Sequence, residues 1–469
     1  MSINRAVQLL LALCLISSAT HADDSQTQQL NRQFQSAVAL YDSGHFPEAA
    51  QQLEALLPLL PKSFEVHELL GQVYASESQD SKAIAHLQIA VALKPDSGPA
   101  RTNLGASLFR IGQTQQAGEQ FRRALELQPK DYDANHNLGE FYIQSDKIQQ
   151  ALPLLQTAQK INPNSYDNGY DLAMANFETG HLSEARQSVE SLLEKKDTAE
   201  LHNLLAKIEE RVGKYVAAAT QFQLAAHLDP SDDNLFDWGS ELLLHRTLEP
   251  AIDVFREASH RYPNSPRLLI GLGMALYSRG MYEDAIKALL AAADLTPSDP
   301  RCYVFLSRAY DSSPNQAGEV IERFRRYAQL QPANALAQYY YAMSLWKGKR
   351  AEDAGLDIHG IESLLKRAIE LDDKLAEPHM QLGNLYADQH QYEKSVPEYV
   401  QALQLDPNLA DAHYRLGTDY VHIGQKDRAQ EEFAIYQKLR SQHLTEVDKE
   451  RAEVQQFVYS AKSGSSAKP

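Results

Sequence analysis

The sequence predicts an all-α protein, a solenoid of about twelve antiparallel helical hairpins closed by a C-terminal capping helix, and three repeating columns of residues predict it. Small residues recur with a period near 34, a second small column follows most of them by about twelve residues, and a large apolar residue comes four residues later. A proline stands near the end of most units. Repetition at a fixed period is the signature of stacked repeats, so this pattern organises the interpretation of the whole chain.

The first column marks where the two helices of a hairpin are expected to approach most closely. Its members are glycine, alanine or, once, serine: Ala37, Gly71, Gly105, Gly139, Ala173, Ala206, Gly239, Gly273, Ser307, Ala342, Gly383 and Gly417. A larger side chain there would push the helices apart, while the large residue of the third column, such as Leu87 or Phe121, would fill the hole beside the contact. The columns therefore predict two closely packed antiparallel helices in each unit.

Glycine and proline are placed where the helices should end. A glycine about seven residues after the first column, as at Gly44, Gly112 and Gly180, predicts the turn inside the hairpin. Proline has no backbone N–H and cannot continue a helix, so Pro95, Pro129 and their equivalents predict the junction between successive units.

Repeat three carries a known family pattern most completely. It reads Leu104-Gly105, Gly112, Ala117, Phe121, Ala124 and Pro129, and Tyr74, Tyr142, Tyr386 and Tyr420 occupy an aromatic position three residues after the small column. In these residues the chain resembles the tetratricopeptide repeat (TPR) family, over about residues 30–440. The resemblance implies a right-handed superhelix whose first helices line a concave groove that holds protein or peptide partners.

The repeats divide the chain in order. We expect a signal peptide at 1–22, repeats one to nine at 30–333, and repeats ten to twelve at 334–441 with an insertion at 348–360. A capping helix is expected at 442–461 and a flexible tail at 462–469. Repeat five lacks its terminal proline, repeat nine has a longer turn, and repeat ten carries the insertion. Each departure is either a tolerated surface change or a break in curvature, contact site or hinge.

The first residues have the composition of a secretory signal. Arg5 precedes an uncharged apolar stretch, Ala6 to Ala19, and small residues at Thr20 and Ala22 predict cleavage after Ala22. We therefore expect an exported protein, periplasmic or extracellular. Retention of the leader as an anchor is an alternative, and lipidation at Cys14 is disfavoured because Leu13 precedes it. Membrane association would then need the uncleaved leader or a complex.

The charge balance narrows the partners. Forty-five basic residues against 62 acidic ones give a net charge of −17, which argues against nucleic acid, because duplex binding depends on cations at phosphates. The excess of negative charge indicates either a role in solubility alone or a preference for a basic partner. No cofactor, metal site or small-molecule substrate is indicated: the motif that begins at His67-Glu68 lacks the second histidine of a zinc site, and no phosphate-binding loop or nucleophile elbow occurs. A buried, unreactive thiol is expected at Cys302.

By the resemblance, one set of first-helix positions faces the groove, and acids are frequent there. The expected groove residues are Glu65, Glu68, Asp133, Glu140, Asp167, Asp171 and Asp237, with Glu200 and Asp233 beside them and Arg110 as the main basic counterweight. They predict a basic partner in the N-terminal half of the groove. The alternative is a solvated helix face whose acids stabilise helix N-termini.

Two further patterns fall on the same helices. Asn103 and Asn137 occupy one position in consecutive repeats, continued by Asp171, as in the asparagine ladder by which some members of the family grip a peptide backbone. Ile270, Met274 and Tyr277, with Leu243 before them, form an apolar patch that serves either partner contacts or core packing. The sequence thus predicts a non-catalytic scaffold or adaptor; the alternative is a structural or targeting subunit of an envelope assembly, such as a pilus, glycan-export or outer-membrane-biogenesis complex.

Overall fold

A computed structural model of the chain describes residues 21–313, 315–348 and 357–441 and residue 455. Most of the expected leader and of the insertion in repeat ten lies outside the described residues. So do the expected capping helix, apart from residue 455, and the whole expected tail.

The chain divides into two compact units, of which the first ends at Asp197. The first unit contains ten helices in its described part: α1 (His21–Asp42), α2 (Phe46–Leu56), α3 (Phe64–Ser76), α4 (Asp80–Leu93), α5 (Gly98–Arg110), α6 (Thr114–Leu127), α7 (Tyr132–Gln144), α8 (Ile148–Ile161), α9 (Tyr166–Glu178) and α10 (Leu182–Leu193). Consecutive helices pack as hairpins, and the first helices of neighbouring hairpins also contact one another.

The second unit begins at Thr198 and repeats this arrangement. Its described helices are α11 (Ala199–Val212), α12 (Tyr215–Leu228), α13 (Asp232–Leu244), α14 (Leu248–Arg261), α15 (Pro266–Ser278), α16 (Tyr282–Leu295), α17 (Pro300–Ser312), α18 (Ala317–Leu330), α19 (Ala335–Gly348), α20 (Ile358–Leu371), α21 (Ala376–Asp388), α22 (Tyr392–Leu405), α23 (Ala410–His422) and α24 (Lys426–Ser441). Across the described ranges of both units there is no strand, so the prediction of an all-α fold is confirmed. The boundary between the units falls at repeat five, the repeat without a terminal proline.

Side-chain caps explain where many first helices begin. Asp131 Oδ1 accepts a hydrogen bond of 2.9 Å from the backbone N–H of Ala134, and Ser165 Oγ accepts one of 3.2 Å from Asn168. Ser63 and Thr198 cap α3 and α11 in the same way. Each cap satisfies one of the backbone N–H groups that the first turn of a helix leaves without a partner.

The turn inside a hairpin keeps one backbone conformation whether or not it contains glycine. Gly112 has φ +79°, in the left-handed region, as the sequence predicts. At the equivalent place in other hairpins Ser78, Asp146, Arg246 and His390 also have positive φ, between 56° and 61°. The packing of the two helices therefore imposes the turn, and glycine only makes it less strained.

Close helix contacts confirm the reason given for the small column. A Cβ added to Gly139 would lie 2.7 Å from Leu155 Cδ2, and one added to Gly105 would lie 2.9 Å from the Phe121 ring. In each case the obstructing group is the large residue of the third column. Large and small residues interlock across the hairpin, which is how ridges on one helix fill the grooves of another.

The α17–α18 hairpin departs from this packing. Val320 stands where most hairpins have alanine, and the helices touch less closely than in the other hairpins. Aromatic side chains fill the wider space: the rings of Tyr303 and Tyr327 stack 4.0 Å apart, and Phe324 lies beside Tyr303. All three are almost completely buried. The irregularity that the sequence indicates in repeat nine is therefore a widened, aromatic-filled hairpin.

Polar side chains bridge the two helices of several hairpins at a fixed spacing of 19 residues. The pairs are His67–His86, Arg101–Gln120, His202–Gln221, His379–Glu398 and His413–Glu432. A hydrogen bond between buried groups of adjacent helices fixes their mutual register. The same structural position thus holds several different chemistries.

In the described part of the chain, no helix is long and apolar enough to cross a membrane.

Candidate functional site

The predicted partner-binding residues all lie on first helices, in α3, α5, α7, α9 and α13. We call the side chains of these helices that correspond to the predicted groove positions the first-helix face. In the first unit it runs along α3, α5, α7 and α9, and in the second unit we consider it along α11 and α13. Each unit is described by itself.

The acids of the first unit differ in how open they are. Asp167 is exposed, and Glu65, Asp133 and Glu140 are partly exposed. Glu68, in contrast, is only 8% exposed. Four of these carboxylates can therefore meet a partner directly. Glu68, which the sequence places in an open groove, is instead nearly enclosed by the protein.

Asp237 in the second unit is also buried, at 8% exposure, and is held by polar partners. Its Oδ2 accepts a hydrogen bond of 2.9 Å from Asn203 and lies 3.8 Å from Lys207 Nζ. Asn203 and Lys207 belong to α11, the first helix of the preceding hairpin. Asp237 therefore joins neighbouring hairpins. The sequence predicts that it forms part of an open acidic surface, and in the structure it does not.

The asparagine ladder has three rungs in three different states. Asn137 Nδ2 donates to the backbone carbonyl of Asp133 in its own helix at 2.8 Å. Asn103 Nδ2 is buried and has no hydrogen-bond partner among the described residues. Asp171 occupies the third rung, beside His136. Of the two asparagines, Asn103 is thus the one whose amide nitrogen makes no hydrogen bond among the described residues.

The third rung is a half-buried carboxylate in an acidic neighbourhood. Asp171 Oδ2 lies 3.8 Å from His136 Nδ1. Burial raises the pKa of Asp171 to about 6; His136 opposes the rise, and the nearby carboxylates Glu140 and Asp167 add to it. This carboxylate is short of positive charge, and a cation brought by a partner would relieve the deficit.

His136 is a residue that the sequence interpretation missed. Its Nδ1 also lies 3.3 Å from Asn168 Oδ1, and its ring stacks on Tyr132 with centroids 5.4 Å apart. Tyr132 in turn shares a 2.6 Å hydrogen bond with Ser165, the cap of α9. These contacts join α7 to α9 and hold the histidine against Asp171. One signal was present in the sequence, since His136 immediately precedes the rung Asn137.

Two arginines near the face are already paired within the protein. Arg110 donates from Nε to Asp80 Oδ1 at 2.9 Å and from Nη2 to Ser107 at 3.1 Å. Since Asp80 belongs to the second helix α4, Arg110 does not neutralise the acids of the face. In the second unit Arg267 forms ion pairs with both Asp232 and Asp233, and its positive charge partly neutralises these two acids.

The apolar patch expected near repeat eight is mostly core. Ile270 and Met274 are fully buried and Leu243 is 3% exposed, while Tyr277 is partly buried. Of the two interpretations open from the sequence, core packing describes three of these four residues.

A cavity of about 470 Å³ lies between α1 and the start of α3. Its apolar lining consists of Leu30, Phe34, Leu60, Pro61 and Val66, and its polar lining of Asn31, Lys62, Ser63 and Glu65. Glu65 accepts a 2.9 Å hydrogen bond from Ser63 at this rim. The N-terminal end of the face thus combines an apolar hollow with one of the predicted carboxylates.

Cys302 is buried, as expected, and its thiol donates to the carbonyl of Asp299 at 3.2 Å. Burial strongly raises the pKa of this thiol. No group of three or more His, Cys, Asp or Glu side chains in the described ranges is placed to hold a metal ion.

Comparison with protein-family models identifies repeats of one kind along the chain. Two models described as tetratricopeptide repeat match residues 108–165 with 143–208, and residues 34–98 with 236–300. A third, described as TPR repeat, matches residues 383–421. Together the matches cover more than half of the chain, and no family of enzymes is among them. A search of curated protein sequences finds no match.

Several solved structures are similar to the chain. Pseudomonas aeruginosa pilF is 19% identical, with 44% of this chain and 95% of that chain covered and a TM-score of 0.40. YrrB, described as a TPR protein with an unusual peptide-binding site, is 18% identical, with 39% and 94% covered and a TM-score of 0.36. The APC/C hetero-tetramer Cut9–Hcn1 is 15% identical, with 90% and 95% covered and a TM-score of 0.39.

Proposed function

We propose that this chain, which belongs to the tetratricopeptide-repeat family, is an exported, non-catalytic scaffold that holds basic protein or peptide partners on the first-helix face of its first unit. Proteins of this family generally act as interaction scaffolds. The proposal adds the compartment, the face and the charge of the partner.

The observation that carries the basic partner is the group of accessible acids on α7 and α9. Asp133, Glu140 and Asp167 are open to solvent, and Asp171 lies behind them with a raised pKa. The arginine expected to balance them is tied to Asp80. A lysine or arginine side chain of a partner would therefore meet several carboxylates on one face, and complementary charge speeds and orients such an encounter.

Asn103 supports an extended partner. Its amide nitrogen is buried and unpartnered, so a rotation of the half-buried side chain towards the face would let it donate to one carbonyl of a peptide backbone. Such a bond reads no side chain and so tolerates different sequences. Asn137 can accept through its carbonyl oxygen while its amide stays bonded to Asp133. The partner would then be fixed by backbone contacts and selected by charge.

The test compares two variants that remove the same number of acids. One carries Asp133→Asn, Glu140→Gln and Asp167→Asn on the face; the matched control carries Glu119→Gln, Glu184→Gln and Glu190→Gln on the second helices α6 and α10. Binding of the mature chain to lysine- and arginine-rich peptides is measured by titration calorimetry at low and high salt. We expect about tenfold weaker binding for the face variant, from three exposed charge pairs of modest strength each.

The control variant should bind as the parent does, and binding of the parent should weaken steeply with salt. Equal losses in both triple variants, or binding that salt does not affect, would show that net charge or another surface is responsible. Asn103→Ala is added to the series to separate the contribution of the peptide backbone from that of charge. It should weaken the binding of neutral and basic peptides equally.

Export is tested separately. Cleavage after Ala22 predicts a mature chain that begins at Asp23, and it would remove the first two residues of α1, which begins at His21. Intact mass of the protein from its native compartment measures the N-terminus directly. A mass that includes Met1 would contradict cleavage and favour the anchor alternative.

A further inference from the structure

The polar bridge between the helices of a hairpin is formed by two imidazoles only once among the five 19-residue pairs described above. In α3–α4 the pair is His67 and His86. In α21–α22 and α23–α24 the first helix also supplies a histidine, but the second supplies a glutamate, at 2.7 Å in His379–Glu398. One structural position thus places a histidine opposite a base in one hairpin and opposite an acid in two others.

The geometry of the α3–α4 pair limits how many protons it can hold. His67 Nδ1 lies 3.1 Å from His86 Nδ1, and His67 Nε2 lies 3.3 Å from the carbonyl of Pro61. Because a carbonyl only accepts, His67 carries a hydrogen on Nε2. In the neutral pair its Nδ1 then accepts from the Nδ1–H of His86.

One added proton can be accommodated, but two cannot. If His67 gains a proton on Nδ1, that nitrogen donates and His86 must change tautomer to accept. With both rings protonated, two N–H groups would point at each other across 3.1 Å and two positive charges would adjoin. When the hairpin opens, both imidazoles can take a proton near the ordinary histidine pKa of about 6.5. The open hairpin therefore binds more protons than the closed one.

The groups around the pair can offset only part of the positive charge that two protonated imidazoles would carry. His67 is 5% exposed, and the His86 ring stacks on Tyr74 with centroids 5.7 Å apart. Tyr74 donates to Glu54, and Lys82 lies over the Tyr74 ring at 4.9 Å. Burial lowers the pKa of His86 and His67 lowers it further, while Glu54 opposes the change. Glu54 is the one carboxylate that these contacts place near the pair, so two protonated imidazoles would have to share it.

We propose that the His67–His86 pair makes the α3–α4 hairpin an acid-sensitive element, which loosens below about pH 6.5 while the hairpins bridged by His379–Glu398 and His413–Glu432 do not. In those hairpins a protonated imidazole meets a carboxylate, so added protons bring opposite charges together. In the imidazole pair, added protons instead bring two positive charges together. A histidine that binds protons less well when folded contributes stability above its unfolded pKa, and that stability is lost as the pH falls. Because α3 carries Glu65 and borders the cavity, the N-terminal end of the face would change with it.

The test is amide hydrogen exchange of the mature full chain at pH 7.5 and pH 5.0, corrected for intrinsic exchange rates and resolved to individual helices by mass spectrometry. Peptides from α3 and α4 should exchange about tenfold faster at pH 5.0, the change that corresponds to one pH unit of difference in proton affinity. Peptides from α21 to α24 should exchange no faster. An acid response in α3–α4 no larger than that in α23–α24 would overturn the proposal.

Two variants separate the pair from general acid sensitivity. His86→Gln places there the residue that Gln120 and Gln221 supply in other hairpins, and it should abolish the acid response of α3–α4. His413→Gln removes a histidine from a different hairpin and should leave that response unchanged. A response that persists in His86→Gln would count against the pair. If His86→Gln does not fold, His67→Gln is measured instead, together with the proton titration of the His86 ring by NMR in the parent, which should lie below that of free histidine.

Discussion

The backbone of Gly383 lies against the ring of Tyr399, so close that a Cβ on the glycine would be 2.8 Å from the ring carbon Cδ1. The tyrosine cannot move aside, since it is fully buried and its hydroxyl donates to Asn384 at 2.7 Å. Gly383→Ala should therefore lower the free energy of unfolding of the second unit by about 1–3 kcal/mol, as overpacking does.

Gly318→Ala is the matched control for that substitution, because nothing lies within 4 Å of a Cβ at that helical position. It should be neutral or stabilise by up to about 1 kcal/mol. Urea denaturation followed by circular dichroism measures both. Similar destabilisation in the two variants would show that the loss does not come from the contact with Tyr399.

Removal of two buried tyrosine hydroxyls should change the stability of the protein in different ways. Tyr310 is 1% exposed and its hydroxyl has no hydrogen-bond partner among the described residues, whereas the Tyr399 hydroxyl is bonded to Asn384. Tyr310→Phe should leave stability unchanged or raise it by about 1 kcal/mol, and Tyr399→Phe should lower it by about 1–2 kcal/mol. The measurement is again urea denaturation, and a loss in Tyr310→Phe equal to that in Tyr399→Phe would contradict the assignment.

Two equivalent hairpin turns contain serine in one case and glycine in the other, so each residue can be tested at the other position. Ser78 has φ +57° and Gly112 has φ +79° at equivalent places in neighbouring hairpins. Ser78→Gly should stabilise the first unit by about 1 kcal/mol and Gly112→Ser should destabilise it by about the same amount, because left-handed backbone is strained for residues with a Cβ. If both changes destabilise, the side chain of Ser78 contributes more than its backbone strain costs.

Asp171 should make the first unit less stable at neutral pH than at pH 5. Its pKa is raised by burial to about 6, so the folded state holds the proton more tightly than the unfolded chain, and stability falls as the pH rises between the two values. Asp171→Asn should remove this dependence, with a gain at pH 8 of at most about 3 kcal/mol and none below pH 4. Unfolding of the parent and the variant is compared at pH 4, 6 and 8.

Much of the fold could be predicted because each column has a mechanical cause that is local to one hairpin. The glycine of the first column and the large residue of the third column are 16 residues apart, as in Gly139 and Leu155, and meet across a single turn. The turn glycine and the caps act within a few residues. Such relationships leave a direct trace in the spacing of the sequence.

The candidate site could be predicted only in part, because it depends on contacts between hairpins. Whether Asp237 is open is decided by its contacts with the neighbouring first helix α11, and no spacing in the sequence records those contacts. The pairing of His136 with Asp171, 35 residues away, likewise crosses a hairpin boundary. Positions on a helix could be assigned from the period, but their burial and partners could not.

The variety of the inter-helix bridges has a consequence for attempts to idealise this protein. A consensus version would average the hairpins and place one residue pair at every bridge, most naturally a histidine with a glutamate or glutamine. Such averaging commonly raises the stability of repeat proteins. Here it would also erase what distinguishes one hairpin from the next, since His67–His86 would give way to a bridge found elsewhere in the chain. The idealised protein would have the same bridge in every hairpin, whereas the natural one keeps a bridge in α3–α4 whose proton chemistry differs from that of α21–α22 and α23–α24.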